Sequence, residues 1–270
     1  MNVAEITVYP IKSLCGNAVY EAVVCGYGLE HDRRWMLVDG ESHMITQREC
    51  PLIATLVPQV EQNCLRIALP SGQEVVVPFS ANGWTDQQVT IDVFGNVYVG
   101  VAAAETINAA LGAAISRECR LLSIRSNVFR TKHEVAFHDD SPVLVISQSS
   151  LDELNRRLST SLPMNRFRPN LVIDDTNPFE EDLWQRVSIG DTVLRAVKQC
   201  ERCVITTVDQ AAGTFTGPEP LKTLATFRRK GQNVAFGQYF RPESAGTKLH
   251  RGEEVRVLEL SPEAAANLPI

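Results

Sequence analysis

No stretch of this 270-residue chain reaches the ~18 consecutive apolar residues of a membrane span, so a helical anchor is not expected. The opening Met1-Asn-Val-Ala-Glu-Ile-Thr-Val8 lacks a basic segment running into an apolar core, so neither is a secretory signal. Positive charge is the scarcer sign. Against 32 Asp and Glu stand 26 Lys and Arg, for a formal net charge of −6, which gives no general attraction to nucleic acid or an anionic membrane. A local basic pocket can still sit inside an acidic total. The 7 cysteines are odd in number and scattered, at positions 15, 25, 50, 64, 119, 200 and 203, with no look of a disulfide framework; a reducing cytoplasm is the expected setting. What is present, 44% hydrophobic and 21% charged residues, is an ordinary globular composition, long enough to bury a large core in one big domain or two smaller ones.

The chain is organised around Lys198-Gln-Cys-Glu-Arg-Cys-Val-Ile-Thr-Thr-Val-Asp209. The alternating run Thr192 to Val197 reads as a strand, and Val204 to Val208 reads as a second one, ended by the turn-like Asp209-Gln-Ala-Ala-Gly213. Between the runs stand Cys200 and Cys203, soft ionisable sulfur on a rigid edge. Several readings stay open. The pair can be two small buried residues. It can be half a zinc site, although no second CxxC and no HxxxH supplies the other ligands. A thioredoxin-like motif should open a helix, and the β-branched run after Cys203 argues against one. The remaining reading is an exposed metal-ligating or reactive thiolate.

Upstream, residues 3 to 9 alternate as a strand and lead into Pro10-Ile-Lys-Ser-Leu-Cys-Gly16, where Lys12 and Ser13 make a candidate phosphate cradle or a solvated turn. Residues 18 to 25 read as a strand. Arg33, Arg34 and Trp35 lead into another, which an Asp39-Gly40 hairpin turns back towards Thr46 and Arg48. These arginines and Lys12 either converge on an anion or form surface ion pairs. Short alternating pieces follow at 52–59, 64–69, 74–78, 87–93 and 97–101, the spacing of a barrel or strongly bent sheet. A helix is predicted from Ala102 to Leu111, with Gly112 as its stop. A polar loop then carries His133, Glu134, His138, Asp139 and Asp140, where the histidines are candidate metal ligands or solvated residues. The strand Pro142 to Ile146 runs into an amphipathic helix capped by Ser150 with Glu153, and Ser147, Ser149 and Ser150 line its start, either as an anion site or as plain caps. Arg168 and Asn170 flank Pro169 at the entry to the strand Leu171 to Ile173, within reach of a ligand. Beyond the thiols, a short helix is predicted over residues 221–229, an aromatic strand or turn over 236–240, and a last hairpin from 246 to 260.

Taken together, Tyr9-Pro-Ile-Lys-Ser13, Asp32-Arg-Arg-Trp35, Thr46-Gln-Arg48, Ser141-Pro142, Ser147-Gln-Ser-Ser-Leu151, Arg166-Phe-Arg-Pro-Asn170, Cys200-Glu-Arg-Cys-Val-Ile-Thr-Thr-Val-Asp209 and Phe236-Gly-Gln-Tyr-Phe240 resemble the MOSC-domain proteins. The branch most resembled contains the mitochondrial amidoxime-reducing component and its bacterial relatives. The resemblance implies a molybdenum cofactor, molybdenum on a pyranopterin dithiolene ending in a phosphate, with Cys203 as the protein ligand to the metal. It implies cofactor contacts from Lys12, Ser13, Arg33, Arg34, Thr46, Arg48, Ser147, Ser149, Ser150, Arg168, Asn170, Arg202 and Thr206. It also carries a family-level link to pyridoxal phosphate binding. The expected architecture is α+β and β-rich: an N-terminal β-barrel-like domain at 1–100 packed on a C-terminal MOSC β-barrel domain with a few helices at 101–265, the cofactor lying between them. The expected function is reduction of N-hydroxylated small molecules such as hydroxylaminopurines, amidoximes and hydroxylamines. No C-x4-C-x2-C spacing follows Leu260, so electrons are expected from a separate ferredoxin-, flavodoxin- or cytochrome-type protein. Asp209 is the candidate proton relay, against its alternative as a turn cap. The competing function is a cofactor or sulfur carrier without turnover.

Overall fold

A computed structural model describes residues 1–124 and 136–262. His133 and Glu134, two of the loop residues singled out above, lie outside the described residues. Strands dominate, with three α-helices among the described residues, at Glu105–Ile115, Gln148–Arg157 and Leu221–Phe227. This is the β-rich α+β class read from the sequence. No helix of the described residues is long and apolar enough to cross a membrane.

The largest sheet has the order Asn17–Val19, Asn2–Val8, Leu171–Asp174, Val143–Ser147, Asn233–Pro242, Thr192–Glu201, Trp184–Ile189, Val255–Leu260. Its central strand Val143–Ser147 is buried on both faces, and the two-residue period of a strand sorts its side chains. Val143 and Val145 enter one apolar cluster with Val3, Ile6, Trp184 and Phe240, while Leu144 and Ile146 enter another with Leu151, Leu154, Phe167 and Phe236. A second unit combines the sheet Trp35–Val38, Arg120–Ile124, Asn96–Ala103, Trp84–Val93 with the meander Val57–Val60, Cys64–Ala68, Glu74–Pro78 and the helix Glu105–Ile115. Trp35 and Leu37 face the core beneath that helix, and Met36 and Val38 face a separate cluster around Phe137.

The two units are threaded through one another. The first strand pairs antiparallel with Leu171–Asp174, and Glu21–Cys25 pairs with Lys248–His250. This threading sets the loop after the first strand beside the Arg-Pro-Asn segment.

Four local expectations are corrected. Residues 52–55 are part of a 3-10 turn, Pro51–Thr55, and the strand begins only at Val57; the turn has proline in its first positions, and Thr55 Oγ1 donates back to Leu52 O at 2.8 Å. Ala102 and Ala103 end a strand, so the helix starts at Glu105 and runs past Gly112 to Ile115. Gly112 serves close approach rather than termination, since a Cβ there would lie 3.1 Å from Arg117 O. The second helix is capped by Ser147, whose side chain accepts from Ser150 N at 3.2 Å, because the strand passes into the helix without a turn. Finally, Val204–Thr207 is a 3-10 turn, not a strand. Thr206 Oγ1 donates to Cys203 O at 2.9 Å and Thr207 Oγ1 to Val204 O at 2.8 Å, local bonds that compete with a ladder.

Candidate functional site

The site begins with a buried carboxylate. Asp32 is 0% exposed and gathers three chain segments. Its Oδ1 accepts from Tyr9 N at 2.8 Å and from Asn170 Nδ2 at 3.1 Å. Its Oδ2 pairs with Arg33 and lies 3.3 Å from His138 Nε2. Asn170 ties the same strands, accepting from Arg33 Nη1 at 3.0 Å and donating to Thr7 O at 3.1 Å. Burial opposes the charge of Asp32, but Arg33, His138 and the Tyr9 amide outweigh it and hold the carboxyl below the ordinary aspartate range. Burial pushes the His138 imidazole down against the pull of Asp32. Tyr9 lies between two guanidinium groups, Arg33 at 4.6 Å and Arg168 at 4.4 Å from its ring centroid. Both arginines hold left-handed backbone, with φ of 49° and 55°.

Beside this frame opens a pocket lined by Lys12, Arg33, Arg168, Arg202, Asp139, Glu201 and Cys203, among others. Its cavity volume is about 90 Å³, a narrow polar cleft rather than a roomy chamber. Its lining brings together two carboxylates and four cationic side chains, of which Lys12 is 4% exposed. Lys12 Nζ donates to Phe137 O at 3.0 Å and pairs with Asp139. Burial pulls the Lys12 ammonium below the usual lysine range, with Arg33 and Arg48 acting in the same direction, although Asp139 opposes them. Burial likewise lowers the Arg168 guanidinium, whose side-chain hydrogen bond goes to the neutral Gln210 at 3.4 Å. Arg202 Nε is buried without a partner among the described residues. One buried and three part-buried cations facing too few carboxylates form a receptor for an anion.

The two thiols separate in role. Cys200 is 2% exposed and packs with Leu144, Ile146, Phe167 and Phe236; its sulfur accepts from Arg202 Nη1 at 2.7 Å. Cys203 is half-buried, lines the pocket, and has Arg48 Nη2 3.5 Å from its sulfur. Among the described residues no group of three or more His, Cys, Asp or Glu is placed to hold a metal, which leaves the zinc reading without a ligand set there. One open thiol beside an anion receptor matches a thiophilic metal that brings its own anionic organic ligand. The residues present therefore fit the cofactor implied by the sequence resemblance.

Of the expected contacts, Lys12, Ser13, Arg33, Arg168, Arg202, Cys203 and Thr206 meet in the pocket lining. Arg48 reaches the Cys203 sulfur from outside that lining, and Asn170 braces Arg33 from behind. Others go elsewhere. Arg34 lies 4.6 Å from the Tyr27 ring and donates to Ile124 O at 3.4 Å, on the wall of a different cleft. Thr46 is tied to Glu49, its Oγ1 donating to Oε2 at 2.8 Å, and contributes through its neighbours Gln47 and Arg48. Gln47 Nε2 donates to Ser13 O at 2.7 Å. Ser147 and Ser150 donate to the buried Glu181 at 2.8 and 2.9 Å, and Ser149 bonds Thr176 at 2.6 Å. These serines cap a helix and satisfy a carboxylate; they do not line the pocket. Asp209 pairs with Arg166 at 2.9 Å and accepts from the amides of Ala211 and Ala212, which makes it a turn cap. Ser147→Ala is accordingly expected to lower stability by about 2 kcal/mol, from a lost cap and a less satisfied Glu181, with cofactor content unchanged. Denaturant titration beside elemental analysis checks this, and loss of cofactor without loss of stability would return Ser147 to the site.

Asp32, Asp139 and Tyr239 were not among the expected site residues. Tyr239 and Asp139 line the pocket, and Asp32 organises it. Asp32 stood within the recognised Asp32-Arg-Arg-Trp35 segment, but nothing local marks it as buried. Asp139 becomes legible only through Lys12, 127 positions away in the chain.

Comparison with known proteins adds to this geometry. The MOSC N-terminal beta barrel domain family matches residues 1–118, and the MOSC domain family matches residues 132–256. The chain is 33% identical over 280 residues to mitochondrial amidoxime-reducing component 1 of Mus musculus, covering 95% of this chain and 82% of that protein. The corresponding Homo sapiens protein is 32% identical over 283 residues, with the same 95% and 82% coverage. The molybdenum cofactor sulfurase of Oryza sativa subsp. japonica is 30% identical over 264 residues, covering 88% of this chain and 32% of that protein.

Proposed function

This chain belongs to the MOSC-domain family, and from that premise we propose that it binds a molybdenum cofactor through Cys203 and reduces N-hydroxylated small molecules. The observation that carries the reading is the half-buried Cys203 thiol opening into a pocket whose cations outnumber its carboxylates. The relatives named for amidoxime reduction support the reaction class.

In this reading Cys203 would hold the metal, Lys12, Arg33 and Arg168 would offset the charge of the cofactor's phosphate, and Ser13 would hydrogen-bond the cofactor. The orphaned Arg202 Nε would be free to donate to the same anionic ligand, and the Asp32–Asn170 brace holds Arg33 in place for it. When bound, the cofactor supplies two-electron redox chemistry at the substrate oxygen. The balance is simple: the N–O bond breaks, two electrons and two protons are taken up, the nitrogen keeps a new N–H, and the oxygen leaves as water. The electrons come from a separate electron-transfer protein of ferredoxin, flavodoxin or cytochrome type. Burial and the neighbouring Cys200 sulfur keep the Tyr239 phenol well above its usual pKa, so it faces the pocket as a neutral hydroxyl.

The test is oxidation of a chemically or enzymatically reduced partner that depends on an added N-hydroxylated substrate, using protein expressed with an intact cofactor pathway. Steady partner oxidation supports the reading. The similarity to a molybdenum cofactor sulfurase favours a second reading, a cofactor or sulfur carrier. Stoichiometric molybdenum without any substrate-dependent oxidation would select that carrier role instead.

A further inference from the structure

The strands Trp84–Val93 and Asn96–Ala103 form a hairpin whose register pairs Val93 with Asn96, leaving Phe94-Gly95 as its two-residue tip. Both tip residues have positive φ, 51° and 87°. Such a turn favours Asn or Asp followed by Gly, because a bulky side chain in left-handed backbone is strained. Gly95 meets the pattern, and Asp92 Oδ1 steadies the turn by accepting from Gly95 N at 2.8 Å. Phe94 breaks it. Nor is the ring recovered by the core, since Phe94 is 52% exposed.

The ring instead lies beside two cations of the site. Its centroid lies 5.6 Å from Lys12 Nζ and 5.4 Å from the guanidinium carbon of Arg48, the residue that reaches the Cys203 sulfur. An exposed, strained aromatic is thus carried by the N-terminal unit to the cations beside a pocket built mainly on the C-terminal sheet. Backbone strain and an exposed ring together ask for a compensating role; Phe94 is not part of the pocket lining, but it sits beside Lys12, which is, and a ring there can stack on a flat ligand that extends from the pocket.

We propose that Phe94 is a specificity residue whose ring stacks on planar, conjugated substrates, so that aromatic N-hydroxylated compounds are preferred over small aliphatic ones. This rests on the reductase reading for its substrate class. The test uses molybdenum-loaded protein, with Phe94→Asn and Phe94→Leu as variants. Asparagine suits the turn and removes the ring; leucine keeps apolar bulk without a π face. Two measurements are made: the ratio of kcat/KM for 6-hydroxylaminopurine to that for hydroxylamine, and calorimetric affinity for adenine, the planar product. In both variants the ratio and the adenine affinity should each fall about tenfold, the factor that one aromatic stack carries. Phe94→Asn should also unfold at a higher temperature than the wild type, as its turn strain is relieved. Unchanged ratio and unchanged adenine affinity overturn the proposal, even if the wild type is an active reductase. Loss of molybdenum in both variants overturns it too, and makes Phe94 a cover for the cofactor. A wild type with no turnover defeats the reductase reading alone, and the adenine affinities still decide the role of Phe94.

Discussion

Cys203→Ala is expected to yield a folded protein with molybdenum reduced from near-stoichiometric to trace, and with reductase activity lost along with it. Both thiols border the pocket, but the sulfur of Cys203 is half-buried, whereas Cys200 is 2% exposed, packs in an apolar cluster and accepts from Arg202. Removing even an outer partner of a metal site costs roughly 10–100-fold in affinity, and removing the ligand itself should exceed that. Cys200→Ala provides the contrast. It trims a small buried side chain and removes the sulfur that accepts from Arg202, and should retain its molybdenum at the cost of about 2 kcal/mol of packing and hydrogen bonding. Elemental analysis of both variants beside the wild type, expressed with the same cofactor pathway, decides the matter. Molybdenum retained by Cys203→Ala would exclude that residue as the anchor. Zinc in place of molybdenum, lost when either cysteine is changed, would defeat the enzyme reading altogether.

The second large effect is on stability. Asp32→Ala should destabilise the fold by about 3–5 kcal/mol, because it leaves Arg33 buried without its carboxylate. It also strands the Tyr9 amide and the Asn170 side-chain amide, which donate to the same oxygen. At a few degrees per kcal/mol for a chain of this size, melting should fall by roughly 10 °C. The pH dependence has a definite sign. The folded carboxyl of Asp32 is held below its ordinary value, so its contribution is present above the ordinary aspartate pKa of about 3.9 and is lost as pH falls through the depressed folded value. The stability gap between wild type and Asp32→Asn should therefore be widest near neutral pH and narrow on strong acidification. Guanidinium titrations across that range measure it. A gap below about 1 kcal/mol at pH 7 would mean that this carboxylate does not hold the three segments together.

Strand periodicity made most of the sheet legible. Residues 143–146 are apolar on both faces, and both faces are buried. The 3-10 turn at Val204–Thr207 escaped because β-branched residues read as strand, whereas two threonine hydroxyls bonded to nearby carbonyls close a tight turn instead. The serines at residues 147–150 were legible as a helix start but not in their allegiance. A capping serine and an anion-binding serine have the same local pattern, and only Glu181, from a later segment, distinguishes them.

By itself the sequence determined the β-rich class, the family, and the chemistry available: a thiol pair, a lysine in the first loop, and scattered arginines. These follow from local periodicity and from motifs contained within short segments. The tertiary structure decided which thiol is open, which serines are taken up by a buried carboxylate, and that Phe94 stands beside Lys12 and Arg48. Each of those outcomes depends on residues far apart in the chain, Arg48 and Cys203 being separated by 155 positions. Burial and the choice of hydrogen-bond partner are properties of the packed chain, so no local pattern could have expressed them.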